Sequence, residues 1–172
     1  MSSTLLELRG RVAVKLGDNV DTDAIYPGRY LNITDREKTP EHLFELAYPE
    51  IRGLIRSGDF LVAGRNFGCG SSREQATAAL KYSGVGAIIA VSFARIFFRN
   101  SINLGLPVVV APAEAVAGLE AGDELVIDLG AGSILNPGKG QSYQAAPLDP
   151  RAIELLEAGG LIPYLKRRYA AY

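Results

Sequence analysis

Apolar and polar residues alternate along the chain in blocks that predict strands followed by helices. Apolar runs typical of strands occupy residues 11–16, 60–63, 87–91 and 107–110. The last two are continuously apolar, which is typical of strands covered on both faces. Helices are predicted between the runs: one beginning with Thr39 as N-cap and Pro40 at its first position, one over residues 75–79 and one over residues 93–103. This order predicts an α/β fold with a largely parallel central sheet.

The pattern changes after residue 121. Short half-exposed strands are predicted over residues 122–128, 133–135 and 141–144, and they form a small β-meander. A helix is predicted over residues 149–158, with Pro150 at its first position, and residues 161–172 are predicted to be helical with a solvated basic face. Since no repeat or interior linker interrupts the chain, residues 1–172 are expected to form a single domain.

Composition narrows the function classes. The 172 residues are 48% hydrophobic and 22% charged, with a net charge of −1, so nothing suggests binding to nucleic acid or to a membrane. The first residues lack the basic and apolar regions of a secretion signal, and the single Cys69 fits a reducing compartment, so a cytoplasmic location is expected. One cysteine and one histidine, His42, cannot make a conventional zinc or iron–sulfur site within this chain.

Residues 64–74, here called the Gly-rich loop, carry the most informative chemistry. They lie between a predicted strand and a predicted helix, where backbone N–H groups and the helix dipole favour an anion. Ser71 and Ser72 add hydroxyls, and Arg73, predicted in the first helical turn, adds a fork for a carboxylate or phosphate. Two structural alternatives remain open: Ser71 as the helix N-cap, and Arg73 as a surface arginine paired with Glu74 or another acid.

A family resemblance begins at this loop. It resembles the signature of the swivelling domain of the aconitase superfamily, in the form found in separate small subunits, and the match continues in order through residues 18–23, 27–31, 92–100, 103–107 and 156–165. The resemblance is strongest to the small subunits of 3-isopropylmalate dehydratases and homoaconitases. It implies an aconitase-like swivelling domain, a three-layer β/β/α fold with a largely parallel central sheet and a small extra β layer.

The resemblance also implies half of an enzyme. In that family a separate large subunit holds a [4Fe–4S] cluster, and this chain is expected to hold no cofactor or metal. Ser71 matches the serine base, and Arg73 matches the arginine that binds a substrate carboxylate. Gly70 and Ser72 are expected to support the substrate or the oxyanion. Asp23 matches an active-site aspartate that partners a histidine of the large subunit; its local alternative is an Asx-turn.

Two further residues bear on the substrate. In this family the loop after residues 30–31 reaches the variable group of the substrate, and here it carries Asn32 and Ile33. Ile33 suits an alkyl group, whereas Asn32 matches neither the residue expected for an alkyl group nor the arginine expected for a third carboxylate. The first cation after residue 31 is Arg36, so a third carboxylate lacks an obvious local partner. We therefore expect an isopropylmalate isomerase of leucine biosynthesis, with homoaconitase or another alkylmalate dehydratase, such as one for dimethylmalate, as alternatives.

Alternatives from other classes are a non-catalytic anion-binding regulatory subunit and a subunit that only stabilises a partner. Cys69 is expected to pack rather than react, and His42 to be structural. Arg95 and Arg99, four residues apart on one helix, are expected to face the large subunit or buried acids, without a catalytic role.

Overall fold

Seven strands form one continuous sheet in the computed structural model, which describes residues 6–170. In chain order they are β1 (Glu7–Lys15), β2 (Phe60–Ala63), β3 (Ala87–Ala90), β4 (Val108–Val110), β5 (Glu124–Asp128), β6 (Ser133–Asn136) and β7 (Gln141–Gln144). Their order across the sheet is β4-β3-β2-β1-β5-β6-β7. β1 pairs in parallel with β2 and antiparallel with β5, so it joins a parallel half to an antiparallel half.

The described residues also form six α-helices. They are α1 (Thr22–Ile25), α2 (Glu74–Tyr82), α3 (Arg95–Leu104), α4 (Ala113–Gly118), α5 (Pro150–Ala158) and α6 (Leu161–Tyr169). Shorter 3₁₀ helices span Gly28–Tyr30, Arg36–His42, Arg52–Leu54 and Pro137–Lys139. None of the helices within residues 6–170 is long and apolar enough to cross a membrane.

The parallel half forms the centre of the core. Every residue of β2 and β3 is buried, as expected for parallel strands whose two faces are both covered. α2 follows β2 and buries a continuous run of its residues, from Ala76 to Leu80, while α3 buries Phe97 and Ile102. The predicted α/β fold with a parallel central sheet is confirmed.

The antiparallel half is covered less completely. In β5, Leu125 and Ile127 are buried while Glu124 is exposed, and in β6 Ile134 is buried while Leu135 is 41% exposed. This alternation is the one expected for a sheet with one face towards the core and one towards solvent. The predicted meander is continuous with the parallel half, because its strand β5 pairs with β1.

One predicted helix is wrong. Residues 36–42 form a 3₁₀ helix with Asp35 as its N-cap, and Thr39 is not the N-cap but a buried residue inside it, whose hydroxyl donates to the Arg36 carbonyl at 2.6 Å. Pro40 lies within this helix and has no N–H to donate to the carbonyl of residue 36, as an α-helix over these residues would require. Short 3₁₀ turns are therefore formed where an α-helix was predicted.

Other differences concern element bounds. β1 begins four residues before the predicted strand, at Glu7, and the short helices α1 and α4 were not predicted. The helix predicted after residue 160 is α6, although Ala171 and Tyr172 lie outside the described residues. That residues 1–172 form a single domain stays a prediction, because residues 1–5 also lie outside the description.

Candidate active site

The Gly-rich loop lies at the carboxyl end of the parallel strands, between the loops that follow β1 and β3. On one side, Gly68 N donates to Val20 O at 2.7 Å. On the other side, Phe67 N donates to Ser92 O at 3.0 Å, and Ala94 N donates to Phe67 O at 2.9 Å. The loop is therefore held by backbone hydrogen bonds from both neighbours, at the edge where α/β sheets commonly bind ligands.

Gly68 allows this loop to lie directly on α3. Its φ of +81° is in the left-handed region, and a Cβ there would lie 2.2 Å from Cγ of Phe97. The Phe97 ring in turn packs edge-on against buried Phe67, with ring centroids 5.2 Å apart. Any side chain at position 68 would push residues 69–71 away from α3, so this glycine fixes the depth of the site.

A cavity of about 270 Å³ lies between the Gly-rich loop and the first turn of α3. Among the described residues that line it, the charged ones are Arg73 and Arg95. The first backbone N–H groups of α3 have no partner inside the helix, and its N-cap, Ala94, offers no side-chain acceptor. Two guanidinium groups and a positive helix end therefore suit this cavity to a small anion with more than one negative charge.

Ser71 lies at the wall of this cavity with its hydroxyl available. Its backbone carbonyl accepts a hydrogen bond from Thr22 Oγ1 at 2.9 Å, which fixes the residue. Within residues 6–170 its hydroxyl has no hydrogen-bond partner, and the residue is exposed. The alternative that Ser71 caps α2 is wrong, because Arg73 occupies the N-cap position and no side chain caps that helix end. Ser72, also exposed, and Gly70 line the same cavity.

Arg73 and Asp23 are brought together by the fold. Arg73 Nη1 donates to Asp23 Oδ1 at 2.8 Å, and the backbone N–H of Gly28 donates to the same oxygen at 2.9 Å. These two hydrogen bonds, the one from Arg73 first, hold the pKa of Asp23 below its ordinary value. Arg73 is thus paired with an acid, but the acid is another predicted site residue and not Glu74.

This contact depends on a close backbone approach. A Cβ at Gly28 would lie 3.2 Å from both terminal nitrogens of Arg73, so the glycine leaves room for the guanidinium. The Arg73 side chain is 19% exposed and that of Asp23 is 63% exposed. One edge of the guanidinium is held by Asp23, and its remaining donors have no hydrogen-bond partner among residues 6–170, so they can bind a ligand.

The two residues predicted to contact the variable group of the substrate are not in this cavity. Ile33 lines a separate cavity of about 190 Å³ together with Arg36 and Glu74. Asn32 is exposed and lines neither cavity in the described part of the chain. The roles of Ile33 and Asn32 in substrate binding therefore stay predictions.

The contacts of Cys69 and His42 are with neighbouring residues of the fold. The Cys69 carbonyl accepts from Thr22 N at 2.8 Å, and the residue is half-buried. His42 stacks on Tyr30 with ring centroids 3.5 Å apart, and its Nδ1 lies 3.3 Å from Glu45 Oε2. Residues 6–170 contain no group of three His, Cys, Asp or Glu side chains that could hold a metal ion, so they do not fit an iron–sulfur cluster.

Arg95 is a candidate site residue that was not predicted from the sequence. The prediction gave Arg95 and Arg99 the same role, but of these two only Arg95 lines the Ser71 cavity. Arg95 is the first residue of α3, and Arg99 lies outside the cavity lining although the next residue, Asn100, belongs to it. The apolar strand β3 followed by a helix was the available signal, since a helix that starts after a parallel strand begins at the ligand-binding edge.

The comparisons with known proteins agree with this geometry. Residues 55–113 match the Aconitase C-terminal domain family. The chain is 53% identical to the 3-isopropylmalate dehydratase small subunit of Moorella thermoacetica, over 88% of this chain and 91% of that protein. It is also 53% identical to the methanogen homoaconitase small subunit of Methanothermobacter thermautotrophicus, over 92% of this chain and 91% of that protein.

A solved structure shows the same fold. The crystal structure of 3-isopropylmalate dehydratase from Methanocaldococcus jannaschii superposes with a TM-score of 0.87 at 43% identity, covering 96% of this chain and 97% of that one. The resemblance seen in the Gly-rich loop is confirmed over nearly the whole length. The chain therefore belongs to the family of 3-isopropylmalate dehydratase and homoaconitase small subunits, within the aconitase superfamily.

Proposed function

We propose that this chain is the small subunit of a hydro-lyase that interconverts 2-isopropylmalate and 3-isopropylmalate by dehydration and rehydration, as a step of leucine biosynthesis. One observation carries the proposal: the Ser71 hydroxyl has no hydrogen-bond partner within the described residues and lies at the wall of a cavity whose charged lining residues are Arg73 and Arg95. A base beside two carboxylate-binding groups is the arrangement that proton removal next to a carboxylate requires. The names of several relatives about 50% identical to this chain support the same reaction.

Ser71 performs the proton transfer in this proposal. Its Oγ takes the proton from the carbon beside a carboxylate, the C–H electrons form the C=C bond, and hydroxide leaves the neighbouring carbon. Rehydration returns the proton and the hydroxide to exchanged positions. A serine acts as a base only when its alkoxide is stabilised, and Arg73, Arg95 and the first turn of α3 supply positive charge at the cavity.

The remaining groups orient the substrate. Arg73 and Arg95 bind its carboxylates, and Asp23 holds the Arg73 guanidinium in place from the opposite edge. Gly70 and Ser72 complete the wall near the reacting carbon. We propose that Asp23, exposed at the rim, also meets a histidine of the partner subunit, as the family resemblance implies.

The leaving hydroxide needs an electrophile, and the described part of the chain has no cluster of side chains that could hold a metal ion for this purpose. The family implies a [4Fe–4S] cluster as the Lewis acid, and the described residues do not fit one. We therefore propose that a large subunit holds the cluster and that the two chains form a heterodimer or heterotetramer in the cytoplasm. The substrate is a small dicarboxylate or tricarboxylate, and neither nucleic acid nor a membrane takes part.

The identities of the relatives do not decide the substrate. The methanogen homoaconitase small subunit and the dehydratase small subunit of Moorella thermoacetica are each 53% identical to this chain. We favour 3-isopropylmalate because Ile33 offers an apolar surface and the nearest following cation, Arg36, is paired with Glu74.

Reconstitution tests the proposal. The chain is co-purified with the large subunit encoded in the same genome, the cluster is restored without oxygen, and turnover of 3-isopropylmalate and of homocitrate is measured. We expect activity only in the complex, with 3-isopropylmalate turned over faster. Activity of the isolated chain, or faster turnover of homocitrate, contradicts the proposal.

A regulatory subunit that binds an anion without chemistry is the second candidate, since the cavity alone would serve that role. A third candidate is a subunit that only stabilises its partner. Arg73→Lys distinguishes this candidate from a subunit that binds an anion, because lysine cannot reproduce a bidentate contact. We expect kcat/KM to fall about tenfold or more with assembly intact. Unchanged kinetics would favour the purely stabilising subunit.

A further inference from the structure

The first turn of α1 holds the Gly-rich loop at several points. Thr22 donates to it twice, from its backbone N–H to Cys69 O at 2.8 Å and from its Oγ1 to Ser71 O at 2.9 Å. The next residue, Asp23, accepts from Arg73 Nη1 at 2.8 Å. Two consecutive residues of α1 therefore hold the proposed base and the proposed carboxylate-binding arginine.

α1 is a fixed support for these contacts. Ile25, its last residue, and Tyr26, which follows it, are both 0% exposed. Asp21 caps the helix by accepting from Ala24 N at 2.7 Å. Thr22 itself is only 3% exposed, so a group that bonds to its hydroxyl is tied to the core of the molecule.

The loop has few other restraints near Ser71. Residues 69–72 belong to none of the named strands and helices, and Ser71 is exposed, so packing does little to fix it. Among residues 6–170, Thr22 is the only residue whose side chain hydrogen-bonds to the backbone of this segment. A Cβ at Gly70 would lie 3.3 Å from Thr22 Oγ1, so the segment folds closely over this hydroxyl.

The position of Ser71 decides whether it can act as a base. Its Oγ must lie within hydrogen-bond reach of the proton that it removes, and a displacement of about 1 Å can lower the rate about a hundredfold. The carbonyl held by Thr22 belongs to the same residue as this Oγ. A hydrogen bond to that carbonyl therefore restricts the backbone rotations that would swing the side chain away from the cavity, which Thr22 also lines.

We infer that Thr22 is a positioning residue for the base: its hydroxyl ties the Ser71 carbonyl to α1 and thereby holds Ser71 Oγ at the cavity. This inference rests on the proposed function and names the group that orients its base. Thr22 acts on the proton transfer through Ser71, whereas Asp23 acts on substrate binding through Arg73. The two neighbouring residues should therefore affect different kinetic constants.

Thr22→Val in the reconstituted complex tests the inference. Valine keeps the branched shape and removes the donor, so the Ser71 carbonyl loses its tie to α1. We expect kcat for 3-isopropylmalate, per assembled complex, to fall about tenfold to a hundredfold, and KM to change less than about twofold. Thr22→Ser keeps the hydroxyl and should retain most of the wild-type kcat.

Thr77→Val is the matched control. Thr77, on α2, is also buried, and its Oγ1 has no hydrogen-bond partner in the described part of the chain. This variant removes a buried hydroxyl without releasing Ser71, so its kcat and KM should equal those of the wild type. A fall in kcat as large as in Thr22→Val would overturn the inference, because loss of any buried hydroxyl would then explain it.

The carbonyl ¹³C chemical shift of Ser71 in the isolated chain gives a readout that does not need turnover. It should change in Thr22→Val and stay close to the wild-type value in Thr22→Ser, since only valine removes the donor. An unchanged shift in Thr22→Val overturns the inference.

The kinetic outcomes separate this inference from the proposed function. An unchanged kcat in Thr22→Val overturns the inference alone. So does a raised KM with unchanged kcat, which would make Thr22 a substrate contact. If the wild-type complex does not turn over 3-isopropylmalate, the proposed function fails, and the Ser71 shift still decides whether Thr22 holds Ser71.

Discussion

Two cavities of this molecule differ in how far their Lys and Arg side chains are paired with acidic residues. The larger, about 700 Å³, lies on the antiparallel half, and the smaller, about 270 Å³, lies at the end of the parallel half. In the larger cavity Lys139 pairs with Glu120 at 3.2 Å and with Asp123 at 3.1 Å. The positive charge of Lys139 is therefore neutralised by acidic residues of the same chain.

The smaller cavity has positive charge in excess. Within the described residues Arg95 makes no ion pair, and Arg73 gives one edge of its guanidinium to Asp23. The larger cavity's Arg11, by contrast, donates to buried Asp59 at 2.6 Å. The site proposed here is therefore not the larger of the two cavities but the one whose cationic groups lack full pairing within residues 6–170.

The largest expected effect comes from Ser71→Ala in the reconstituted complex. Removing the proposed base lowers kcat about 10²- to 10⁴-fold, because one positioned acid–base group contributes that much to rate. The measurement is steady-state turnover of 3-isopropylmalate, with assembly checked by size-exclusion chromatography. Full activity with normal assembly would favour the regulatory subunit instead.

Arg95→Gln should weaken substrate binding without weakening the fold. Since Arg95 lines the cavity and makes no ion pair among residues 6–170, we expect KM to rise about tenfold to a hundredfold and the unfolding midpoint to stay unchanged. Arg99→Gln, one turn later on α3 and outside the cavity lining, is the matched control. Equal losses in both variants would show that α3 contributes charge to a partner contact rather than to the substrate.

Arg11→Gln should weaken the fold without changing substrate binding, the opposite of Arg95→Gln. It leaves the Asp59 carboxylate, whose side chain is 8% exposed, without its ion-pair partner, so we expect a loss of about 1–3 kcal/mol in the free energy of unfolding. Urea denaturation of the isolated chain measures this change. The KM of the reconstituted enzyme should not change, and an altered KM would mean that the larger cavity also serves the reaction.

Asp23→Asn gives the smallest expected effect, and its sign depends on pH. Folding lowers the Asp23 pKa, so its pairing with Arg73 stabilises the folded chain above about pH 4 and this contribution is lost as the pH falls below that value. The difference in unfolding midpoint between wild type and variant should be present at pH 7 and diminish by pH 3. A difference that grows on acidification would contradict the assigned pairing.

The same variant should raise KM about tenfold or less at pH 7, because Arg73 loses the group that orients it while keeping its charge. Asp21→Asn is its neighbour control, since Asp21 caps α1 through Ala24 N at 2.7 Å and does not touch Arg73.

The sequence predicted those parts of the fold that local pattern determines. β2 and β3 were found because four consecutive apolar residues are all buried there. The helix at Thr39 was predicted wrongly. A threonine N-cap followed by a proline at the first position is a common start of an α-helix, but here Thr39 is buried inside a 3₁₀ helix. Burial of that threonine depends on the packing of α2 against residues 36–42, which no local pattern reveals.

The site was predicted in part for the same reason. The ordered segments of the family resemblance led to Ser71 and Arg73 as predicted site residues. They did not reveal that Arg73 bonds Asp23 across 50 residues or that Arg36 bonds Glu74 across 38. The difference between Arg95 and Arg99 likewise depends on how α3 packs against the Gly-rich loop in the folded chain, where Arg95 lines the cavity and Arg99 does not. Spacing of four residues places both on one face of the helix but does not say where the cavity ends.

The central place of β1 has a consequence for biosynthesis. Among the described strands it leaves the ribosome before the others, yet its antiparallel partner β5 ends at residue 128. Until residue 128 has been translated, one edge of β1 lacks its native partner strand, and unpaired edges promote aggregation. Expression hosts that slow translation late in the message, or truncations before β5, should therefore yield insoluble chains even though the Gly-rich loop and its cavity are complete in sequence.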